Sequence, residues 1–178
     1  SLSTVGRDTE AEELYSSLVE RPDSDDELVV ELARTHARLG IRGKSKLRVA
    51  EAAVDREPED AELRLHLAAI QLEVGHINQA TTNLDKVLLT APELHQQVLD
   101  LLRNSPMLET ERGRLLPILA RVHINAGRIE EALAVLSRLL SQYHRHFGDM
   151  VELYNDLIEA APDNPRPRME RGILFRLA

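Results

Sequence analysis

The sequence predicts an all-α fold built from antiparallel helix pairs repeated along the chain. Three observations predict it. Aromatic residues make up only 3% of the 178 positions and tryptophan is absent. The alternating β-branched and aromatic pattern of strands is therefore scarce, and the core must be aliphatic. The stretch "LAAIQLEVGHINQATTNLDKVLL" from Leu67 is nearly restated by "LARVHINAGRIEEALAVLSRLL" from Leu119, a step of 119 − 67 = 52 residues. Under that shift Leu67, Ala68, Gly75, Ile77, Ala80, Leu84 and Leu88 meet the identical residues Leu119, Ala120, Gly127, Ile129, Ala132, Leu136 and Leu140. Self-similarity at such a period is the mark of stacked supersecondary units. Finally, each copy carries two apolar stripes at helical spacing with a glycine between them.

Taken in order, the predicted helices are 9–20, 26–39, 44–56, 61–74, 77–90, 93–104, 114–126, 129–142, 149–160 and 165–178. Thr9 with Glu12, and Ser24 with Glu27, have capping-box spacing at the first two starts. "LARTHARLG" ends the second helix in Gly40, and Pro58 closes the third. Leu63, Leu67, Ile70 and Val74 form one stripe before Gly75, which supplies the tolerance of positive φ that a helix end uses. A second stripe, Ile77, Ala80, Leu84, Val87, Leu88 and Ala91, stops at Pro92. Ala80 is small where the helices of a hairpin must approach closely. "ELHQQVLDLLRNSP" and "DMVELYNDLIEAAP" supply third helices that fill the long repeat step. Pro117 would break a helix interior, so its helix is expected to start near Gly113 and keep Pro117 in the first turn. Pro162 closes the helix 149–160, and Asn164 followed by Pro165 suits an N-cap and first helical position.

The net charge is −8, from 22 basic and 30 acidic residues. That balance argues against a nucleic-acid surface, which carries a basic footprint. Without cysteine there is no disulfide, thiol nucleophile or Cys-ligated zinc. No apolar run approaches the ~20 residues of a membrane span. Seven histidines invite a metal reading, but His144 and His146 are two apart and point to different sides of a helix. No His-x-x-x-His spacing occurs. His36 and His123 hold the same place in their repeats and read as polar-tipped packing residues. No phosphate loop and no "GxSxG" is present, and the acidic residues of "DTEAEELYSSLVERPDSDDE" read as caps and a solvated face. The chain is expected to be no enzyme and to need neither metal nor cofactor.

With these residues laid out, the second copy resembles a tetratricopeptide repeat, a unit of about 34 residues. Counting from Ala61, the family's small first-helix residue falls on Ala68, its turn glycine on Gly75 and its second-helix alanine on Ala80. Leu84, Val87 and Pro92 follow in the family's order. The third copy, from Gly113, matches through Ala120, Gly127, Ala132, Leu136 and Leu139, with His144 where proline is usual. The first copy fits from Asp26 through Ala33 and Gly40, then needs one inserted residue before Pro58. "RPRMERGILFRLA" matches a first helix alone, through Gly172 and Phe175.

The resemblance implies a right-handed α-solenoid occupying residues 1–178 as one domain. Its units are about 26–60, 61–112 and 113–164, with partial units at both ends. It also implies a non-catalytic scaffold that grips a peptide or helix of a partner protein in a concave groove. The family's inward-facing positions carry over to Arg34 and Arg38; to Leu65, Ala69 and Leu72; and to Arg114, Pro117, Arg121, Ile124 and Asn125. Arginines beside an apolar middle imply a partner segment combining carboxylates with apolar anchors. The carboxylate clamp of some family members is not reproduced, since Val30, Arg34, His66, Arg114 and Ile118 stand at its positions and only Arg114 is similar. An RNA-binding pentatricopeptide-like protein is the alternative, because "AGRIEEAL" resembles that family too; acidic charge, closing prolines and irregular spacing weigh against it. A targeting module of a larger enzyme is a third reading. "TEAEELYSSLVERP" resembles a second helix without a first, and Ile173, Leu174 and Leu177 keep the last helix apolar. Both ends are thus expected to be cuts through a longer solenoid, with self-association through the exposed ends.

Overall fold

The structure, a computed structural model, describes residues 26–40, 42–105 and 112–178, and Ser17. Among the described residues all regular structure is helical. The predicted helix 9–20, with the caps at Thr9 and Ser24, lies outside the described residues. The chain divides into two compact units, Ser1–Thr90 and Ala91–Ala178.

The first unit holds α1 (Asp26–Arg38), a 3-10 turn at Lys44–Lys46, α2 (Leu47–Arg56), α3 (Ala61–Glu73) and α4 (Ile77–Thr90). Val29, Val30 and Ala33 of α1, Val49, Ala50 and Ala53 of α2, and Leu63, Leu67 and Ile70 of α3 form its aliphatic cluster. The helix α4 packs back on α3 and buries Ile77, Ala80, Leu84, Val87 and Leu88. Each buried Val, Leu or Ile side chain contributes about 1.5–3 kcal/mol on leaving water. Ala68 and Ala80 are both fully buried, as expected where two helix backbones approach closely. Asp60 caps α3 by accepting the Leu63 N–H at 3.0 Å.

The second unit holds a 3-10 turn at Pro92–Leu94, α5 (His95–Asn104), α6 (Arg112–Asn125), α7 (Ile129–Leu139), a 3-10 turn at Leu140–Gln142, α8 (Tyr143–Ala160) and α9 (Arg166–Leu177). Leu116, Ala120 and Ile124 of α6 meet Ala132, Leu133 and Leu136 of α7. Met150, Leu153, Tyr154 and Leu157 of α8, and Leu174 of α9, complete the cluster. The helices α5 and α8 are the predicted third helices.

The repeat extends to individual hydrogen bonds. At the end of α3 the Gly75 N–H donates to Leu72 O (3.3 Å) and the His76 N–H to Gln71 O (2.8 Å). At the end of α6 the Gly127 N–H donates to Ile124 O (2.9 Å) and the Arg128 N–H to His123 O (2.8 Å). Both are Schellman motifs, which need a left-handed residue, and Gly75 (φ 82°) and Gly127 (φ 68°) supply it. The next helix then starts alike, Ala80 N–H to His76 O and Ala132 N–H to Arg128 O. Gly40 (φ 63°) ends α1 with the same inner bond, to Ala37 O at 3.1 Å.

Three local expectations need correction. Pro117 is not in the first turn but inside α6, which begins at Arg112. The missing N–H of Pro117 therefore leaves the carbonyl four residues back, near the helix start, without its usual donor. Helical structure on the way into α8 begins at Tyr143, earlier than 149, as a short stretch that meets the rest of the helix at a kink at His146 (φ −122°, ψ 19°). Asn164 does cap α9, but through the Arg166 N–H at 3.0 Å, which makes Pro165 the last residue before the helix.

Candidate functional site

The first unit carries an open cleft of about 850 Å³ against α1 and the end of α2. Asp26, Glu27 and Glu31 line it with Arg34 from α1, and Arg56 and Glu57 close the other side. Among the described residues, four carboxylates and two guanidinium groups give its charged lining a net −2. Leu28 and Val30 supply the apolar floor and rim; Leu28 is half-exposed and Val30 buried. Helical spacing places Glu27, Val30, Glu31 and Arg34 on one side of α1 (i, i+3, i+4, i+7).

The two arginines are not free to receive a ligand carboxylate. Arg34 pairs with Glu57, and its Nη2 lies 3.1 Å from Asp60 Oδ2. Its hydrogen bond to Asp60, reinforced by the Glu57 and Asp60 charges, raises its pKa further. Arg56 bonds Asp26 and also donates to the Ala52 carbonyl. Arg38 turns to Glu31 at 3.0 Å on the exposed surface. In the second unit Arg121 is largely buried, with Nη1 3.0 Å from Asp156 Oδ2 and Nη2 3.9 Å from Glu152 Oε2. The acidic partner expected from this row of arginines therefore lacks support, because the protein's own carboxylates already occupy Arg34, Arg38 and Arg121.

The expected apolar middle is also placed differently from its anticipated use. Leu72 is 2% exposed and Ala69 and Ile124 are buried. Of the three central positions in α3 only Leu65 is partly accessible. Arg114 is exposed on the first turns of α6 and has interactions of its own. Arg34, Arg38, Leu65, Ala69 and Leu72 belong to the first unit, and Arg114, Arg121 and Ile124 to the second. The cleft brings together Arg34 with five charged residues that sequence reasoning did not single out. Their only local signal is the capping run before α1; the pairing of Arg34 with residues 57 and 60 spans two turns of the fold.

Titratable groups give little chemistry. Burial lowers the pKa of His36, His66 and His123, with His66 down at about 4, so all three favour the neutral form. Burial raises Glu51, while the nearby His76 charge opposes it. None of these four lines the cleft. His144 is exposed, whereas His146 Nδ1 sits 3.5 Å from Asp149 Oδ2. Among the described residues no group of three or more His, Asp or Glu could hold a metal ion. No helix among them is long and apolar enough to cross a membrane.

A search against protein-family models finds none that matches the chain, and no curated protein sequence matches it. The architecture therefore rests on the internal repeat and the helix packing.

Proposed function

We propose that the protein is a non-catalytic, protein-binding scaffold whose helix pairs are stacked in the right-handed manner of tetratricopeptide repeats. The observation that carries this reading is the open, charged cleft on α1, whose described lining offers the half-exposed Leu28 beside four carboxylates and two guanidinium groups. Helix pairs that cannot bury both faces alone stack, and their exposed inner faces take up extended or helical segments. The net charge of −2 in the lining selects a partner segment with Lys or Arg flanking an apolar anchor. It also repels a phosphate backbone, which weighs against the RNA-binding alternative.

The test pairs two synthetic peptides, one alternating Lys with Leu and one alternating Glu with Leu, against the chain and its Glu27→Lys/Glu31→Lys variant. The wild type should prefer the basic peptide. The variant should lose that preference by about tenfold, since each exposed charge pair is worth up to ~1 kcal/mol. Lys86→Ala, on exposed α4 surface, should change nothing. A wild-type chain indifferent to peptide charge, or a preference untouched by the double reversal, would rule out the cleft.

A further inference from the structure

A second cleft, of about 370 Å³, lies on the α3–α4 pair, and its described lining is Gln71, Asn78, Gln79, Thr82 and Asn83. None of these five side chains is charged or aromatic, and four are carboxamides. On α4, Asn78 with Thr82 and Gln79 with Asn83 are i, i+4 pairs, so the four share one side of the helix. Asn78, Gln79 and Thr82 are exposed, Asn83 is half-buried, and Gln71 is 3% exposed.

The fold fixes which way the inner amides point. Arg64 Nη1 can only donate, so the Asn83 atom that it meets at 3.2 Å is Oδ1. Asn83 Nδ2 then donates to Gln71 Oε1 at 2.8 Å. Gln71 is left with Nε2, a pure donor, for the cleft that it lines. A guanidinium at the head of this chain polarises both amides and strengthens that donor. Thr82 is committed in the opposite sense. Its hydroxyl donates to the Asn78 carbonyl at 3.0 Å, which leaves the oxygen lone pairs to accept. The cleft therefore offers a fixed donor and a fixed acceptor, with the Asn78 and Gln79 amides exposed around them.

The repeat itself does not call for this polarity. A step of 52 residues puts His123, Glu130, Glu131, Ala134 and Val135 at the five places, with no carboxamide among them. Val135, in the place of Asn83, is buried in the apolar cluster of the second unit. Apolar packing at this place thus takes an aliphatic side chain, and α4 has an amide instead.

We propose that the Gln71–Thr82–Asn83 cleft of α3 and α4 binds the main chain of an extended peptide segment, whatever its side chains. A main-chain residue displays one C=O and one N–H, which match the Gln71 donor and the Thr82 acceptor. A nucleobase is held by stacking on an aromatic or guanidinium face, and the described lining has neither. An ionic ligand needs an opposite charge, which the described lining also lacks. This cleft shares no described lining residue with the cleft on α1, and its reading stands if that one fails.

The probe is a neutral capped peptide of alternating glycine and serine, titrated into the full chain and followed by NMR through the side-chain NH2 signals of Gln71 and Asn83. Both signals should move and saturate together. Thr82→Val keeps the shape and removes the acceptor, and should weaken binding about fivefold, the worth of one hydrogen bond. A peptide with esters in place of its amides has lost its N–H groups and should be weakened to a similar extent. Gln71→Glu still accepts from Asn83 but turns an oxygen in place of the donor towards the peptide carbonyl, and should cost about tenfold. Circular dichroism checks that this variant folds; if it does not, the other two comparisons decide. Unmoved signals, undiminished binding in Thr82→Val or with the ester peptide, or equal shifts from acetamide at the same concentration would each overturn the proposal. So would loss of binding in Glu27→Lys/Glu31→Lys, which would place the peptide in the cleft on α1.

Discussion

A buried imidazole should make the first unit sensitive to acid. His66 is 6% exposed and its Nε2 has no hydrogen-bond partner among the described residues. Burial, with His36 and Arg42 nearby, holds its pKa down at about 4 against an ordinary 6.5. Between those values the unfolded chain binds a proton that the folded chain refuses. The associated stability is therefore whole above pH 6.5 and drains away as pH falls towards 4. Allowing for screening by the solvent that still reaches the site, the loss should be about 1–2 kcal/mol. His66→Leu should flatten this part of the stability–pH curve, measured by urea denaturation at pH 7 and pH 4.5, with little cost at pH 7 because the unpaired nitrogen goes with it. An unchanged slope would show that another group carries the proton linkage. The sequence offered no sign that His66 is buried, since its repeat counterparts are Glu31 and Ile118. His36 and His123, by contrast, were legible as packing residues because they hold the same place in their repeats, and both are buried.

Two helix–turn–helix elements, α3–α4 and α6–α7, close through turns whose hydrogen bonds match one for one. Gly75→Ala and Gly127→Ala force a Cβ into the left-handed region, where an added Cβ meets nothing within 4 Å. The whole penalty is thus conformational, about 1–2 kcal/mol, and should be equal at the two sites. Gly172→Ala, at ordinary helical φ, should instead stabilise by about 1 kcal/mol. Equilibrium unfolding of the three variants checks both signs; a large difference between Gly75→Ala and Gly127→Ala would mean that the turns are not equivalent. These elements were readable because stripe, glycine and proline all act within a few residues. The start of α8 was not, since His144 and Arg145 belong to no apolar stripe. Nor was the occupation of the arginines: Arg34 reaches residues 23 and 26 positions away, and Arg121 one 35 away. Local spacing placed these guanidiniums on helix faces but could not say which carboxylates the fold would bring to them. That step separates an acid-binding row of arginines from an acidic cleft.

At the scale of the molecule, the two units each hold an apolar cluster of their own, one drawn from residues 29 to 74 and the other from 116 to 174. A lesion in one cluster should therefore be felt first where it is made. Leu136 is fully buried in the second cluster, among Ala120, Leu133 and Tyr154. Leu136→Ala removes its methyl contacts and leaves a cavity, at a cost of about 2–5 kcal/mol. The same unit is also braced by polar bonds, since the Tyr154 hydroxyl donates to Glu170, which accepts from Arg166, which in turn bonds Glu130. These bonds join α7, α8 and α9, so the lesion should loosen all of them together and not α7 alone. Hydrogen exchange read by mass spectrometry resolves the outcome. Amides of α6 to α9 should lose protection in Leu136→Ala while those of α1 to α4 keep theirs, because apparent protection follows the free energy of the local opening. Equal loss across both sets of helices would show that the chain opens as one cooperative body, and that the two clusters do not act as separate sources of stability.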